Sequence, residues 1–340
     1  MESKKSVRSL DCAYIVRWFC EDDLEYYISG LNRELYESYS EKRFRWKFVD
    51  SPFSLGFVSV STVEEVETGK PVAFNSFLPL QVRFGEEVFL IVQGCDGFVD
   101  EAHRRRGLFQ RTLIFMKNEM ADKGPEFLIG FNFAGSAAAA RRAGSLVACD
   151  VNVWERGVNE IERSLPSRTN LELSEATPEE ASEIYENWAR RTPRIHFHRT
   201  ADFLRWRFED NPLLDYTIHK IESGMEYQCY VAVGIDEEDG LSKMSIEDCI
   251  PPFSEAIPLS TVLRALLNEH KEAEVVEIAA RSGSALNRAI KQMGSREEEP
   301  RYTVIMKPIS NVNIRGGKLY RGGLELTNHF NWHIAKSDIY

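Results

Sequence analysis

The sequence lacks the features that mark membrane, secreted or nucleic-acid-binding proteins. Its 340 residues carry 42 Lys and Arg against 53 Asp and Glu, a net charge of -11, whereas phosphate backbones are bound by broad basic surfaces. No apolar run approaches the length of a membrane span, and no signal-peptide core follows the first five residues. We therefore predict a cytoplasmic protein that binds neither nucleic acid nor membrane.

Metal and disulfide patterns are also missing. The six cysteines are scattered, with no Cys-x-x-Cys pair, which argues against a disulfide framework and against a zinc site. His196 and His198, and also His329 and His333, have ligand spacing, but neither pair has a third ligand at a suitable distance. We expect no metal and reduced cysteines. A Ser/His/Asp elbow, a phosphate P-loop and a dinucleotide fingerprint are absent as well.

What the sequence does contain is a basic turn between a strand and a helix. An apolar run ending at Phe98-Val99 leads into Arg104-Arg105-Arg106-Gly107, and apolar residues at helical spacing follow from Leu108. A helix start has four NH groups without intrahelical partners and a partial positive charge, so it binds anions. A soluble surface loop is the alternative at this point. A second buried strand, Phe127 to Asn132, comes next.

One eight-residue segment occurs twice. Arg45–Pro52 reads RWKFVDSP and Arg205–Pro212 reads RWRFEDNP, with five identical positions at an offset of 160 residues. This offset is too long for a solenoid repeat and indicates a duplicated domain. We predict that Trp46 and Trp206 pack in the core at a helix end, a role that we favour over a ligand contact.

Both halves show the same mixed pattern of strands and helices. In each, a short strand and an acidic helix start precede the Trp segment, and several strands follow it. The boundary is expected in the polar stretch between Arg156 and Asn170. We predict an N-terminal domain over residues 1–157, a linker over 158–169, a C-terminal domain over 170–310 and a tail over 311–340.

The order of strand, Arg-x-x-Gly turn, helix and strand resembles the central motif of the GNAT superfamily of N-acyltransferases. The two-copy arrangement resembles tandem-GNAT proteins over about residues 13–307. This resemblance implies an α/β (mixed α+β) fold of two tandem GNAT-like domains, each with a mixed, mostly antiparallel central sheet flanked by helices. Phe109 departs from the family pattern, in which a small residue is usual at this position. The larger phenylalanine side chain leaves less room for a pantetheine arm.

The resemblance implies that the first half binds acetyl-CoA, or another acyl-CoA, as co-substrate. The backbone NH groups of Phe98 and Val99 would then face the thioester carbonyl, and Asn132 would lie near the pantetheine. The pyrophosphate would be bound by Arg104, Arg105, Arg106, Gly107, Leu108 and Phe109. The equivalent stretch of the second half, Ile246 to Phe253, has no arginine or glycine, and its two prolines lack NH donors. We therefore expect one CoA site per chain.

Asp96 is the candidate general base. It is an acid on the strand that would line the cofactor, and alternation places Asp96 and Phe98 on the same face. A structural role, in which Asp96 only accepts hydrogen bonds from its surroundings, stays open. The tyrosine that often protonates the thiolate in this family is replaced by Ala140, so the general acid is not identified.

The sequence thus predicts an acyl-CoA-dependent N-acyltransferase, with acetyl-CoA as the expected donor. The acyl group would pass to the primary amine of a small molecule by direct attack. Two alternatives stay open: a CoA-binding regulatory protein without turnover, and an aminoacyl transferase of the FemAB type, against which the basic turn and the acidic surface argue. The sequence does not indicate the acceptor or the oligomeric state.

Overall fold

The computed structural model describes residues 13–35, 38–223, 227–253, 257–294 and 300–340. Its first half contains six strands and four helices. The strands are β1 Tyr14–Trp18, β2 Val60–Glu65, β3 Pro71–Phe84, β4 Glu87–Val99, β5 Phe127–Asn132 and β6 Leu146–Gly157. The helices are α1 Leu24–Glu34, α2 Glu41–Phe48, α3 Leu108–Met120 and α4 Ala134–Arg142.

The second half repeats this order and adds one short helix and one short strand. Its strands are β7 Glu172–Glu175, β8 His196–Phe197, β9 Tyr216–Ser223, β10 Tyr227–Glu238, β11 Leu241–Ile250, β12 Val275–Arg281 and β13 Tyr302–Pro308. Its helices are α5 Val158–Ile161, α6 Pro178–Ala189, α7 Ala201–Leu204, α8 Leu259–Glu269 and α9 Ala285–Gln292, with a π turn at Arg205–Glu209 after α7. In the tail, β14 Asn313–Arg315, β15 Lys318–Arg321 and β16 Leu324–Glu325 form a small antiparallel sheet.

The two halves share one sheet, in the order β1-β2-β3-β4-β5-β13-β6-β12-β11-β10-β9-β7, with β8 paired to β3. The pairs β4·β5 and β11·β12 are parallel, and the other pairs in this order are antiparallel. The predicted mixed, mostly antiparallel sheet flanked by helices is confirmed. Each half also places its last strand beside the other half, because β13 pairs with β5 and β6 pairs with β12.

Local sequence explains why the helices start at the same place in both copies. Ser40 caps α2 by accepting a hydrogen bond from the Arg43 amide, and Thr200, 160 residues later, caps α7 in the same way. Thr177 caps α6 in the same way, with Pro178 in the first turn.

The repeated tryptophans meet at the junction of the two halves. Trp46 and Trp206 are 6% and 3% exposed, and their rings stack with centroids 5.0 Å apart. The Trp46 indole NH donates to the Trp206 carbonyl at 2.8 Å, and the Trp206 indole NH donates to the Trp46 carbonyl at 2.7 Å. The predicted burial of both side chains is thus observed, together with a reciprocal contact that the pattern did not predict.

Successive residues of the central strands face different cores. Ile129 of β5 and Ala279 of β12 belong to one large core that also contains residues of α1, α2, α6 and the tail. Their neighbours Leu128 and Ile278 face the opposite side, where Leu128 packs with α3 and α4 and Ile278 packs with α8 and α9. The sheet therefore separates the layer of α1, α2, α6 and the tail from the layer of α3, α4, α8 and α9.

Candidate functional site

Strands β4 and β5 separate at their carboxyl ends. Their parallel pairing covers only Val92–Gly94 and Leu128–Gly130, although β4 continues to Val99 and β5 to Asn132. A β-bulge lies just beyond the last pair, where the register between β3 and β4 shifts and Asp96 has a φ of 40°. A bulge bends its strand and increases the twist. The two strands consequently form a gap that opens toward the start of α3.

The basic turn connects this gap to α3. Arg105 and Gly107 have left-handed backbone conformations, with φ of 62° and 73°, and the chain enters α3 at Leu108. The N-cap residue of α3 is Gly107, which has no side chain that could cap the helix, so the first amides of α3 keep their hydrogen-bonding capacity for an anion. The predicted strand, turn and helix are therefore all present.

The three arginines of the turn differ in their contacts. Arg104 pairs with Glu34 of α1 and donates from Nε to the Val99 carbonyl at 3.0 Å. Arg106 donates to the Tyr14 hydroxyl and to the Ala102 carbonyl. Arg105 is exposed and makes no hydrogen bond or ion pair within the part of the chain that the structure describes. Arg104 and Arg106 thus hold the turn in shape, and Arg105 is available to a ligand.

The amides of Phe98 and Val99 point in opposite directions. The Asp100 amide donates to Val72 of β3, and amides alternate along a strand, so the Phe98 amide also faces β3. The Val99 amide faces the gap beside β5, whereas the Phe98 amide does not. The Phe98 ring packs so closely on Gly30 of α1 that a Cβ there would lie 1.9 Å from its Cζ.

The remaining residues predicted for the cofactor site lie around the same gap. The Asn132 side chain folds over Gly130, where a Cβ would lie 2.6 Å from its Oδ1. Phe109 is half-buried in the first turn of α3, and Leu108 is buried against Tyr14 and β2. The structure thus brings the sequence-predicted residues together at one end of β4 and β5.

Asp96 is buried beside the gap in an ion pair. Its Oδ2 accepts hydrogen bonds from Lys47 Nζ at 2.8 Å and from the Tyr39 hydroxyl at 3.0 Å. The Lys47 and Asp96 side chains are 2% and 0% exposed. Burial and the nearby carboxylate raise the pKa of Tyr39, so its hydroxyl stays protonated and donates. Neither partner of Asp96 was identified from the sequence.

The second half contains the counterpart of this cluster. Residues 160 positions after Tyr39 and Lys47 are Arg199 and Arg207, and both bind carboxylates on β11. Arg199 Nε donates to Asp248 at 2.9 Å, and Arg207 donates to Glu247 at 3.1 Å. The register of β10 and β11 also shifts there, between Ala232 and Val233. A bulge with a buried carboxylate and a helix-borne cation therefore occurs in both copies.

The counterpart of the arginine turn differs, as the sequence indicated. Strand β11 ends at Ile250, two prolines follow, and α8 begins at Leu259 after Pro258. Pro251, Pro252 and Pro258 cannot donate backbone hydrogen bonds. The described residues of this connection contain no cation. They therefore offer an anion fewer hydrogen-bond donors and less positive charge than the turn before α3 does.

Other candidate residues are buried. Ala140 is buried on α4, and burial raises the pKa of Cys95 to about 12. His196 lies beside the Tyr185 hydroxyl, and burial lowers its pKa to about 2. Within the described ranges, no cluster of three or more His, Cys, Asp or Glu residues could hold a metal. No helix in those ranges is long and apolar enough to cross a membrane.

Comparison with known proteins identifies the fold. No family model and no curated protein matches the sequence, but solved structures do. A GCN5-related N-acetyltransferase from Anabaena variabilis matches with a TM-score of 0.63 and 13% identity, over 87% of this chain and 73% of that one. One from Kribbella flavida matches with a TM-score of 0.58 and 13% identity, over 87% and 71%.

An N-myristoyltransferase from Saccharomyces cerevisiae, solved with bound myristoyl-CoA, matches over more of the chain. Its TM-score is 0.58 at 13% identity, and the match covers 92% of this chain and 87% of the yeast protein. Both halves are thus included in the match. The chain has the GNAT fold, as the resemblance of the arginine turn predicted.

Proposed function

We propose that the protein is an acyl-CoA-dependent N-acyltransferase with its CoA site in the first half. The observation that carries this proposal is the uncapped start of α3, with the exposed Arg105 beside it, at the mouth of the gap between β4 and β5. Helix amides and an arginine bind a pyrophosphate together. The gap has room for an extended arm because no strand pairing closes it beyond Gly94 and Gly130.

The proposed reaction is direct attack of a primary amine on the thioester. The acyl-CoA, with acetyl-CoA as the expected donor, supplies the acyl group, and the CoA thiol is released. The Val99 amide, which faces the gap, would donate to the carbonyl oxygen as negative charge develops there. A small-molecule amine is the expected acceptor, and the ammonium proton must leave before attack.

Asp96 stays the candidate for the base that takes this proton. It lies on the bulge beside the gap, but its Oδ2 already accepts two hydrogen bonds. Asp96→Asn should lower turnover and remove the acidic limb of the pH profile. Asp248→Asn, which changes a buried carboxylate at the corresponding end of β11 in the second half, is the control. An equal loss of turnover in both variants would assign Asp96 a structural role.

Calorimetric titration tests the cofactor site. We expect one equivalent of acetyl-CoA or desulfo-CoA per chain, and about tenfold weaker binding in Arg105→Gln, because a charge-assisted contact contributes about 1.5 kcal/mol or more. Arg315→Gln, in the exposed β14, should bind as tightly as the wild type. Two equivalents per chain would refute the single site, and no binding would refute the proposal.

A CoA-binding protein without turnover is the second candidate. It is favoured by Ala140, which stands where the family often has its general acid, and by the buried ion pair of Asp96. Thiol release from acetyl-CoA in the presence of an amine panel separates the two functions. Binding without amine-dependent thiol release would favour this candidate.

A further inference from the structure

Arg281, the last residue of β12, is a buried cation without a counter-ion. Arg281 is 8% exposed, and its Nη1 donates to the Ser282 carbonyl at 3.1 Å. Its Nε is buried and has no hydrogen-bond partner. Among the described residues, no carboxylate lies within ion-pair distance of it. Buried arginines are almost always paired, so Arg281 is an exception that requires an explanation.

The surroundings of Arg281 are also cationic. Burial lowers the pKa of Arg281, and the charges of Arg194 and Arg288 lower it further. The Phe330 ring centroid lies 5.8 Å from the guanidinium carbon, and the Phe330 residue is 67% exposed. The guanidinium therefore lies just beneath the surface, in a region where an added anion would relieve repulsion between like charges.

Arg281 lies on the same side of the sheet as the large core that contains Phe98 and Ile129. It pairs in register with Val151 of β6, which pairs with Tyr302 of β13, and Val151 and Tyr302 both face that core. Residues directly opposite on paired strands share a face. The Tyr302 ring in turn contacts the exposed Phe133, which follows β5, at 5.1 Å. A row of side chains thus leads from the end of β5 to Arg281.

Phe133 and Arg281, at the two ends of this row, are three strand spacings apart, which is about 14 Å. Val151, in the middle of the row, is buried, so an elongated amine that entered the gap at β5 would pass over it, from the exposed Phe133 toward the exposed Phe330. Its far end would reach the guanidinium. Arg281 has one planar edge, formed by Nε and Nη2, that makes no hydrogen bond to a described residue. Such an edge binds a carboxylate or a phosphate through two parallel hydrogen bonds.

We propose that Arg281 binds the anionic group of the acyl acceptor, so that the acceptor is an elongated amine with a carboxylate or phosphate at its far end. This inference rests on the proposed acyltransferase function and specifies its substrate class. Arg281 is a substrate-positioning residue in this proposal. It takes no part in the bond making at the thioester.

The experiment compares matched acceptors with acetyl-CoA as donor. One arm uses ω-amino acids of increasing length against their carboxamides, and a second uses ω-aminoalkyl phosphates against the corresponding alcohols. We expect the anionic member of each pair to have a KM about tenfold to a hundredfold lower, as for a charge-assisted bidentate contact. The arm in which the KM of the neutral acceptor exceeds that of its anionic partner by the larger factor identifies the anion.

Variants assign the preference to Arg281. In Arg281→Gln the KM for the anionic acceptor should rise to that of its neutral partner, with little change in kcat. Arg264→Gln, which removes another arginine that donates to a carbonyl, should keep the preference. Equal KM values for acids and amides in the wild type, or an unchanged preference in Arg281→Gln, would overturn the proposal.

A binding measurement decides the question if no amine is acylated. Glutarate and inorganic phosphate, compared with chloride at equal ionic strength, should raise the melting temperature of the wild type more than that of Arg281→Gln, because phosphate also has the turn before α3 as a site. No selective rise with either anion would refute the anion site. Failure of CoA to bind would instead refute the acyltransferase function, and the anion result would stand independently of it.

Discussion

The buried ion pair of Lys47 and Asp96 makes Asp96→Asn a strongly destabilising substitution. The two charged atoms lie 2.8 Å apart, and the side chains are 2% and 0% exposed. Removing one charge leaves the Lys47 ammonium uncompensated in the core, which costs about 3–5 kcal/mol. Asparagine tolerates the left-handed conformation at this position and can still accept from Lys47 and Tyr39. We therefore expect a loss near the lower limit, about 3 kcal/mol.

Urea unfolding followed by tryptophan fluorescence measures this loss, because Trp46 is adjacent to Lys47 in α2. Asp248→Asn is the comparison, since Asp248 and Arg199 are also fully buried and 2.9 Å apart, but Arg199 keeps the buried Asp338 as a second carboxylate partner at 2.8 Å. Asp248→Asn should therefore lose less unfolding free energy than Asp96→Asn, because Asp338 still compensates Arg199. A loss below about 1 kcal/mol in Asp96→Asn would mean that the pair is solvated or neutral, and would refute the reasoning.

Three further predictions concern stability. Trp206→Phe removes one of two reciprocal hydrogen bonds and leaves a buried carbonyl without its donor, so thermal unfolding should show a loss of about 1–3 kcal/mol, and Trp46→Phe should match it. Gly30→Ala should destabilise the protein by about 1–3 kcal/mol despite the better helix propensity of alanine, because the new methyl group would overlap the Phe98 ring; an unchanged melting temperature would contradict this. Burial lowers the pKa of His219 to about 4, so the unfolded chain takes up a proton first as the pH falls. Stability should therefore decrease from about pH 6.5 to about pH 4, and His219→Gln should flatten that decrease.

The arginine turn could be predicted from the sequence because its signals are local. A run of apolar residues, a glycine with positive φ and a helical pattern lie within about twenty residues of each other. The burial of Trp46 and Trp206 could be predicted because the repeat aligns them. These features depend on neighbours in the chain or on direct sequence identity.

Other features depend on distant partners that a single sequence does not reveal. The partners of Asp96 lie 49 and 57 residues before it, in α2 and in the segment that leads into α2. The repeat did contain a signal for this cluster. Arg199 and Arg207, which lie 160 residues after Tyr39 and Lys47, are both cations. Strands β6 and β13 both read as ordinary buried strands, and nothing in their pattern states which strand each one pairs with. The unpaired Arg281 likewise became visible only once its surroundings were known.

The exchange of last strands makes the two halves inseparable after a single cut. Ser167 and Arg168 are exposed between them, yet cleavage there would free neither piece, because β13 stays paired with β5 and β6 with β12. Native electrophoresis of the nicked protein should show one particle, and denaturing electrophoresis two peptides. Either half made alone would expose the edge of β5 or of β12 as a site for aggregation. The duplication has thus produced a pair of copies in which each completes the other.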